Sequence, residues 1–197
     1  MFLHNTLYWH QNNVSANGAA AYVLQGNNPS DWLDSQYGKM AVAYPKFHKM
    51  DLASKLALLA AEWVVPTRVA ENKMDIATVI TTNHGSLEVD KRYNDTRKHV
   101  PSPALFVYTL PNIMLGELCI RHGFKGEQLC NIATAPDADW LYFYVADLLQ
   151  HRGTQACLCG FVDATDDTLL AHLMWVSKIP SNLPFTRTRV HTILKSK

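Results

Sequence analysis

Three stretches of the chain repeat apolar residues at helical spacing. Between Asp51 and Val65, Leu52, Leu56, Leu59, Ala60 and Trp63 recur three and four positions apart and define one face of a helix. Asp51 is a suitable N-cap, and Pro66 stops the repeat. Between Pro136 and His151, Trp140, Phe143, Tyr144 and Leu148 lie on overlapping apolar faces, and Gly153 closes the segment. Pro111 to Arg121 predicts a third helix, with proline in its first turn and Gly123 at a left-handed end.

Other stretches are apolar without a polar face. Met74–Thr82, Gln128–Ala135 and Ala156–Ala164 predict buried strands. Phe2–Trp9 predicts a further strand, and Asp167–Ser177 a short helix. Thr186–Leu194 alternates Arg187, Arg189 and His191 with Thr188, Val190 and Thr192, the pattern of a half-exposed strand. Glu88–Val100 is strongly charged and reads as an exposed helix or loop. Pro101-Ser102-Pro103 is a break before Ala104–Thr109. The forty residues after Trp9 are rich in Asn, Gly, Ser, Tyr and Pro. They read as loops with short helical pieces, pinned to the body by Trp32, Tyr37, Tyr44 and Phe47. Strands alternating with helices predict an α/β fold: a mostly parallel sheet with helices on both faces, in one domain over residues 1–197.

Composition narrows the function. The chain is 48% hydrophobic and 18% charged, as in ordinary globular proteins. A formal net charge of +1 argues against a general attraction to nucleic acid or anionic membrane. The longest apolar run, Leu56–Val65, contains Glu62 and is too short to span a bilayer. The N-terminal residues do not read as a signal peptide. The four cysteines show no disulfide framework, so a cytoplasmic protein with reduced thiols is expected.

Few residues suggest chemistry. Asn83-His84-Gly85-Ser86 sets a histidine beside a glycine turn, but the sequence names no partner acid or nucleophile for His84. Cys130 sits on a predicted strand and reads as a buried thiol; catalysis there is the lesser alternative. Cys157 and Cys159 are two apart and point to one face of a strand. No further pair of ligands supports a metal site, so no metal and no cofactor are expected. Gly123 to Gly126 meets no phosphate-loop pattern.

Several segments, in order, resemble one family. These are Lys49–Ala57, Ile80–Leu87, Pro101–Phe106, Leu110–Glu117, Gly123-Phe124-Lys125-Gly126, Asn131-Ile132-Ala133-Thr134-Ala135-Pro136-Asp137 and Leu158-Cys159-Gly160-Phe161-Val162-Asp163-Ala164. Over about residues 45–197 the chain resembles the N-terminal half of β-ketoacyl synthases. The resemblance implies half of a thiolase-type fold: a five-stranded mixed sheet with helices on both sides. It marks Asn112, Gly116, Lys125, Gly126, Ala133, Thr134, Ala135 and Asp137 as family-motif positions. It also sets Pro136 where the family carries its nucleophilic cysteine, at the start of a long helix, and places the family's two catalytic histidines beyond the end of this chain.

The departure matters physically. A condensing enzyme needs a thiolate, which a helix N-terminus stabilises, and donors aimed at the oxyanion. In the family one such donor is the cysteine's own backbone N–H. Proline supplies neither thiol nor N–H. Asp137 and Asp139, expected in the first helical turn, stabilise the helix and disfavour an anion beside it. The resemblance therefore implies a non-catalytic partner subunit like a chain-length factor, in fatty-acid, polyketide or polyene-type synthesis. The alternatives are half of an active synthase or acyltransferase completed by another chain, and an acyl or carrier-protein binding module. A homodimer or a heteromer with a ketosynthase-type chain is expected, with an acyl carrier protein as a possible contact.

Overall fold

The computed structural model describes residues 1–19, 22–40 and 43–195. The elements run β1 (Phe2–His10), β2 (Asn13–Ala16), β3 (Tyr22–Val23), α1 (Pro29–Lys39), α2 (Leu52–Val64), β4 (Ile76–Thr82), α3 (Leu87–Thr96), α4 (Pro103–Val107), α5 (Ile113–His122), β5 (Gln128–Ile132), α6 (Ala138–His151), β6 (Ala156–Ala164), β7 (Leu169–Ser177) and α7 (Arg187–Lys195). The strands form one mixed sheet in the order β3-β2-β1-β7-β6-β4-β5.

β4 pairs parallel with β5 on one side and β6 on the other. Every other pairing in the sheet is antiparallel, so the parallel part is confined to these three strands. The three expected core strands are neighbours, and the mixed sheet with helices on both faces agrees with the expectation. The strand count differs, at seven rather than five. The short β2 and β3, added outside β1, account for the difference.

Local chemistry sets several helix ends where the sequence places them. Asp51 caps α2 by accepting from the Ser54 N–H at 3.2 Å, and Gly123 ends α5 at φ 74°. α2 is the central helix of one face: Leu56 through Ala61 are fully buried there with Leu7, Trp9, Ile80, Leu158 and Trp175. Phe47 and Tyr44 are buried in the same cluster, and Trp32 and Tyr37 pack on its edge. Glu117 of α5 is buried too and accepts the hydroxyls of Tyr44 and Tyr108, which ties α5 to the chain before α2. α6 covers the other face. Its Leu141, Val145 and Leu148 meet Ala77, Val79, Cys157, Cys159, Met174 and Val176. Cys157 and Cys159 thus share a face and are core residues. Among the described residues, no group of three or more His, Cys, Asp or Glu is placed to hold a metal ion.

Two segments differ from the sequence reading. Leu169–Ser177 is not a helix but strand β7, hydrogen-bonded to β6 on one side and β1 on the other. Its run LLAHLMWVS is buried almost throughout, so it has no polar face to reveal a period. Arg187–Lys195 is not a strand but helix α7, packed on α6 with only Val190 buried. Its β-branched alternation is overridden by tertiary contacts. The charged 88–100 segment contains helix α3, and Ala104–Thr109 falls largely in the short α4. Phe143, expected in the core, is 69% exposed. Among the described residues, no helix is long and apolar enough to cross a membrane.

Glycines fix two close approaches. A Cβ on Gly160 (φ 152°) would lie 1.9 Å from the His172 carbonyl oxygen in the β6–β7 ladder. A Cβ on Gly126 would lie 2.4 Å from the Ile76 carbonyl, where the chain crosses the start of β4.

Candidate functional site

The junction of β5 and α6 carries the resemblance, and its geometry follows from its residues. β5 ends at Ile132, and one more parallel bond, from the Ala133 N–H to the Thr82 carbonyl at 3.0 Å, holds the chain against β4. Thr134, Ala135 and Pro136 then turn toward α6. The helix starts later than the sequence reading has it: Ala138 is the first helical residue and Asp137 is the N-cap. Pro136 lies outside the helix, one residue before the cap. The Asp137 carboxylate accepts from the backbone N–H of Asp139 and of Trp140, at 3.0 Å each. Two of the donors that a helix N-terminus could offer to an anion are therefore already used.

A cavity of about 450 Å³ opens at this junction, lined by residues 133–138 and by His191, Leu194 and Lys195 of α7. Asp139, in the first turn of α6, holds α7 there. Arg187 grips its carboxylate with two hydrogen bonds of 2.6 Å, and the His191 ring contacts the same carboxylate at 2.5 Å. The Arg187 hydrogen bonds, then the His191 one, keep the Asp139 carboxyl well below the usual carboxylate range. A histidine thus lines the cavity beside Pro136. Nothing in the sequence near position 136 foretells it; the available signal is the four-residue spacing of Arg187 and His191, which sets both on one side of a helix.

His84 also has a partner that the sequence did not name. Asp163, on β6, accepts from the Thr82 hydroxyl and the Asn83 N–H at 3.1 Å each and from the His84 N–H at 2.8 Å. Its second oxygen lies 2.7 Å from His84 Nδ1. A carboxylate only accepts, so Nδ1 carries the hydrogen of this bond. Ser86, two residues on, donates its hydroxyl to the Thr109 carbonyl at 2.6 Å. The signal for Asp163 is a lone carboxylate in an otherwise apolar nine-residue strand.

The structure separates Cys130 from the Pro136 cavity. Cys130 points toward the α2–α5 cluster, whereas its neighbour Leu129 points toward α6. Burial pushes its thiol up to about 11. The remaining family-motif positions are spread along this end of the fold. Asn112 precedes α5, and Gly116 lies within that helix. Lys125 bonds through its N–H to the Lys73 carbonyl, and Gly126 through its N–H to Ile76.

No protein-family model matches the sequence, and no curated protein sequence does. Solved structures match by shape. The ishigamide ketosynthase/chain length factor superposes with a TM-score of 0.59 at 18% identity, over 81% of this chain and 53% of that one. A chain of the ketosynthase ApeO in complex with its chain length factor ApeC, from Xenorhabdus doucetiae, gives 0.56 at 14% identity, over 98% and 90%. AntDE:AntF, a type II PKS acyl-carrier protein in complex with its ketosynthase bound to the hexaketide, gives 0.58 at 12% identity, over 90% and 62%. The chain has a ketosynthase-type fold. It spans about half the length of the ishigamide protein's chain.

Proposed function

We propose that this ketosynthase-like chain is a partner subunit without condensing activity of its own, acting in the cytoplasm beside a ketosynthase-type chain in fatty-acid, polyketide or polyene-type synthesis. The observation that carries this reading is the β5–α6 junction. Pro136 offers neither thiol nor N–H, and Asp137 occupies two of the helix-end donors. The neighbours of like fold include a ketosynthase in complex with its chain length factor and another with an acyl-carrier protein. By analogy, the partner of this chain is a ketosynthase-type subunit, and an acyl carrier protein is a further contact.

We assign the partner to the β5 end of the sheet. β5 is the last strand in the sheet order, and among the described residues no strand pairs with its outer edge, which leaves that edge to a second strand. Ile132 on β5 is 62% exposed, and Ile120 on α5, in the groove beside Gln128, is 63% exposed.

The test is condensation by purified protein on acyl- and malonyl-carrier substrates, read by mass spectrometry. Wild type alone gives no product. Pro136→Cys gains a thiol that an acylating reagent labels, and still gives no product. Turnover by the wild-type chain alone overturns the reading. Turnover that appears only when the co-purified partner is added, and that vanishes when His84 or Cys130 of this chain is replaced, favours the alternative of half an active synthase. The observation on the side of that alternative is the His84–Asp163 pair, 2.7 Å apart.

A further inference from the structure

The antiparallel half of the sheet carries a second cavity, of about 430 Å³, between β1 and α7. It shares no lining residue with the cavity at Pro136. Its size is within the range of small-molecule pockets, about 300–1,000 Å³. Leu3, Leu183 and Ile193 give it apolar walls. His4, Thr6, Asn17 and three threonines on the α7 side complete its lining.

Among the described residues, Arg189 is the only Asp, Glu, Lys or Arg that lines this cavity. Its Nε donates to the Pro184 carbonyl at 3.1 Å, which fixes the plane of the guanidinium. Its terminal nitrogens carry no hydrogen bond or ion pair among the described residues. Arg187 and His191 of α7 lie elsewhere, because both engage Asp139. An oriented guanidinium with one free fork, its two terminal nitrogens, set in a recess with an apolar side and no carboxylate among its described lining residues, matches one negative charge on an apolar body. A dianion would be left half-compensated there, and a cation would meet only repulsion.

We propose that this cavity binds a medium-chain aliphatic monocarboxylate, its carboxylate on Arg189 and its chain against Leu3, Leu183 and Ile193. The site is independent of the partner-subunit reading and of the chemistry at Pro136.

The test is calorimetric titration of the full chain with octanoate, octan-1-ol, octylamine and acetate. Octanoate binds; octan-1-ol binds at least about tenfold more weakly, the loss of one charged hydrogen-bonded pair; octylamine does not bind; and acetate binds more weakly than octanoate for want of the chain. Arg189→Gln lowers octanoate to the level of octan-1-ol while leaving octan-1-ol unchanged, which shows that the cavity persists. Leu183→Ser weakens octanoate and octan-1-ol together. Equal affinity for octanoate and octan-1-ol in wild type, undiminished octanoate binding by Arg189→Gln, acetate binding as tight as octanoate, or no binding by any of the four overturns the proposal. Should Arg189→Gln fail to fold, the four-ligand comparison on wild type decides alone.

Discussion

Replacing Asp137 with alanine tests whether the start of α6 is built for stability or kept open for chemistry. The carboxylate caps two N–H groups at 3.0 Å. Loss of an N-cap side chain costs about 0.5–2 kcal/mol, and loss of a negative charge at a helix N-terminus about 0.3–1 kcal/mol. Both describe the same carboxylate and overlap, so the net cost is about 1–2 kcal/mol. The first turn cannot fray alone, because Ala138 and Leu141 are buried against the sheet. The loss therefore registers in global unfolding. For a chain of this size about 1 kcal/mol moves Tm by about 2–4 °C, so Asp137→Ala melts about 2–8 °C lower. Asp137→Asn keeps an acceptor and loses only the charge, so its drop is the smaller. Thermal melts at pH 7, with urea unfolding to separate stability from a change in m, provide the measurement. An Asp137→Ala protein that melts at or above the wild-type temperature would refute the reasoning. It would mark the junction as strained for function, the usual pattern where removing an active-site group stabilises a protein.

Burial holds His122 and His172 neutral, each pushed down to about 4 from the ordinary 6.5. Below pH 6.5 the unfolded chain takes up protons that the folded chain refuses, so stability falls as pH drops from about 6.5 toward 4 and is level above about 7. The loss is roughly 1–2 kcal/mol per histidine by pH 5. Melts at pH 7, 6 and 5 should show it, and His172→Gln should flatten the profile; a pH-independent Tm contradicts it. Gly160→Ala drives a Cβ to 1.9 Å from the His172 carbonyl and should abolish soluble folded protein, measured as yield and circular dichroism; a normally folded variant would rule out a β6–β7 register that pairs Gly160 with Leu173. Asp139→Asn removes the charge that Arg187 grips, so amides of 187–195 should exchange faster with little change in Tm; unchanged protection would mean that packing of Val190, Ile193 and Leu194 holds α7.

Much of the architecture was legible because it rests on short-range chemistry. Asp51, Pro66 and Gly123 bound their helices through groups a few residues away. The β-branched run at 76–82 and the apolar run at 156–164 cannot sit at a surface, so buried strands followed. Pro136 is legible for the same reason: a proline has no N–H in any fold.

What the sequence left open depended on partners far along the chain. β7 has nine residues with too little polar contrast to show a period, and only hydrogen bonds to β1 and β6 make it a strand. α7 alternates as a strand would, yet Arg187 and His191 share Asp139, 52 residues before His191 in the chain, and that contact needs a helix between them. His84 and Asp163 are 79 residues apart, and the cavity over Pro136 is closed by the last helix described. Separation along the chain carries no record of such meetings. They arise when β4 and β6 pair and when α7 packs on α6. Local residue chemistry thus accounts for most of the elements and for the proline at the β5–α6 junction, whereas long-range packing settles which charged groups surround it.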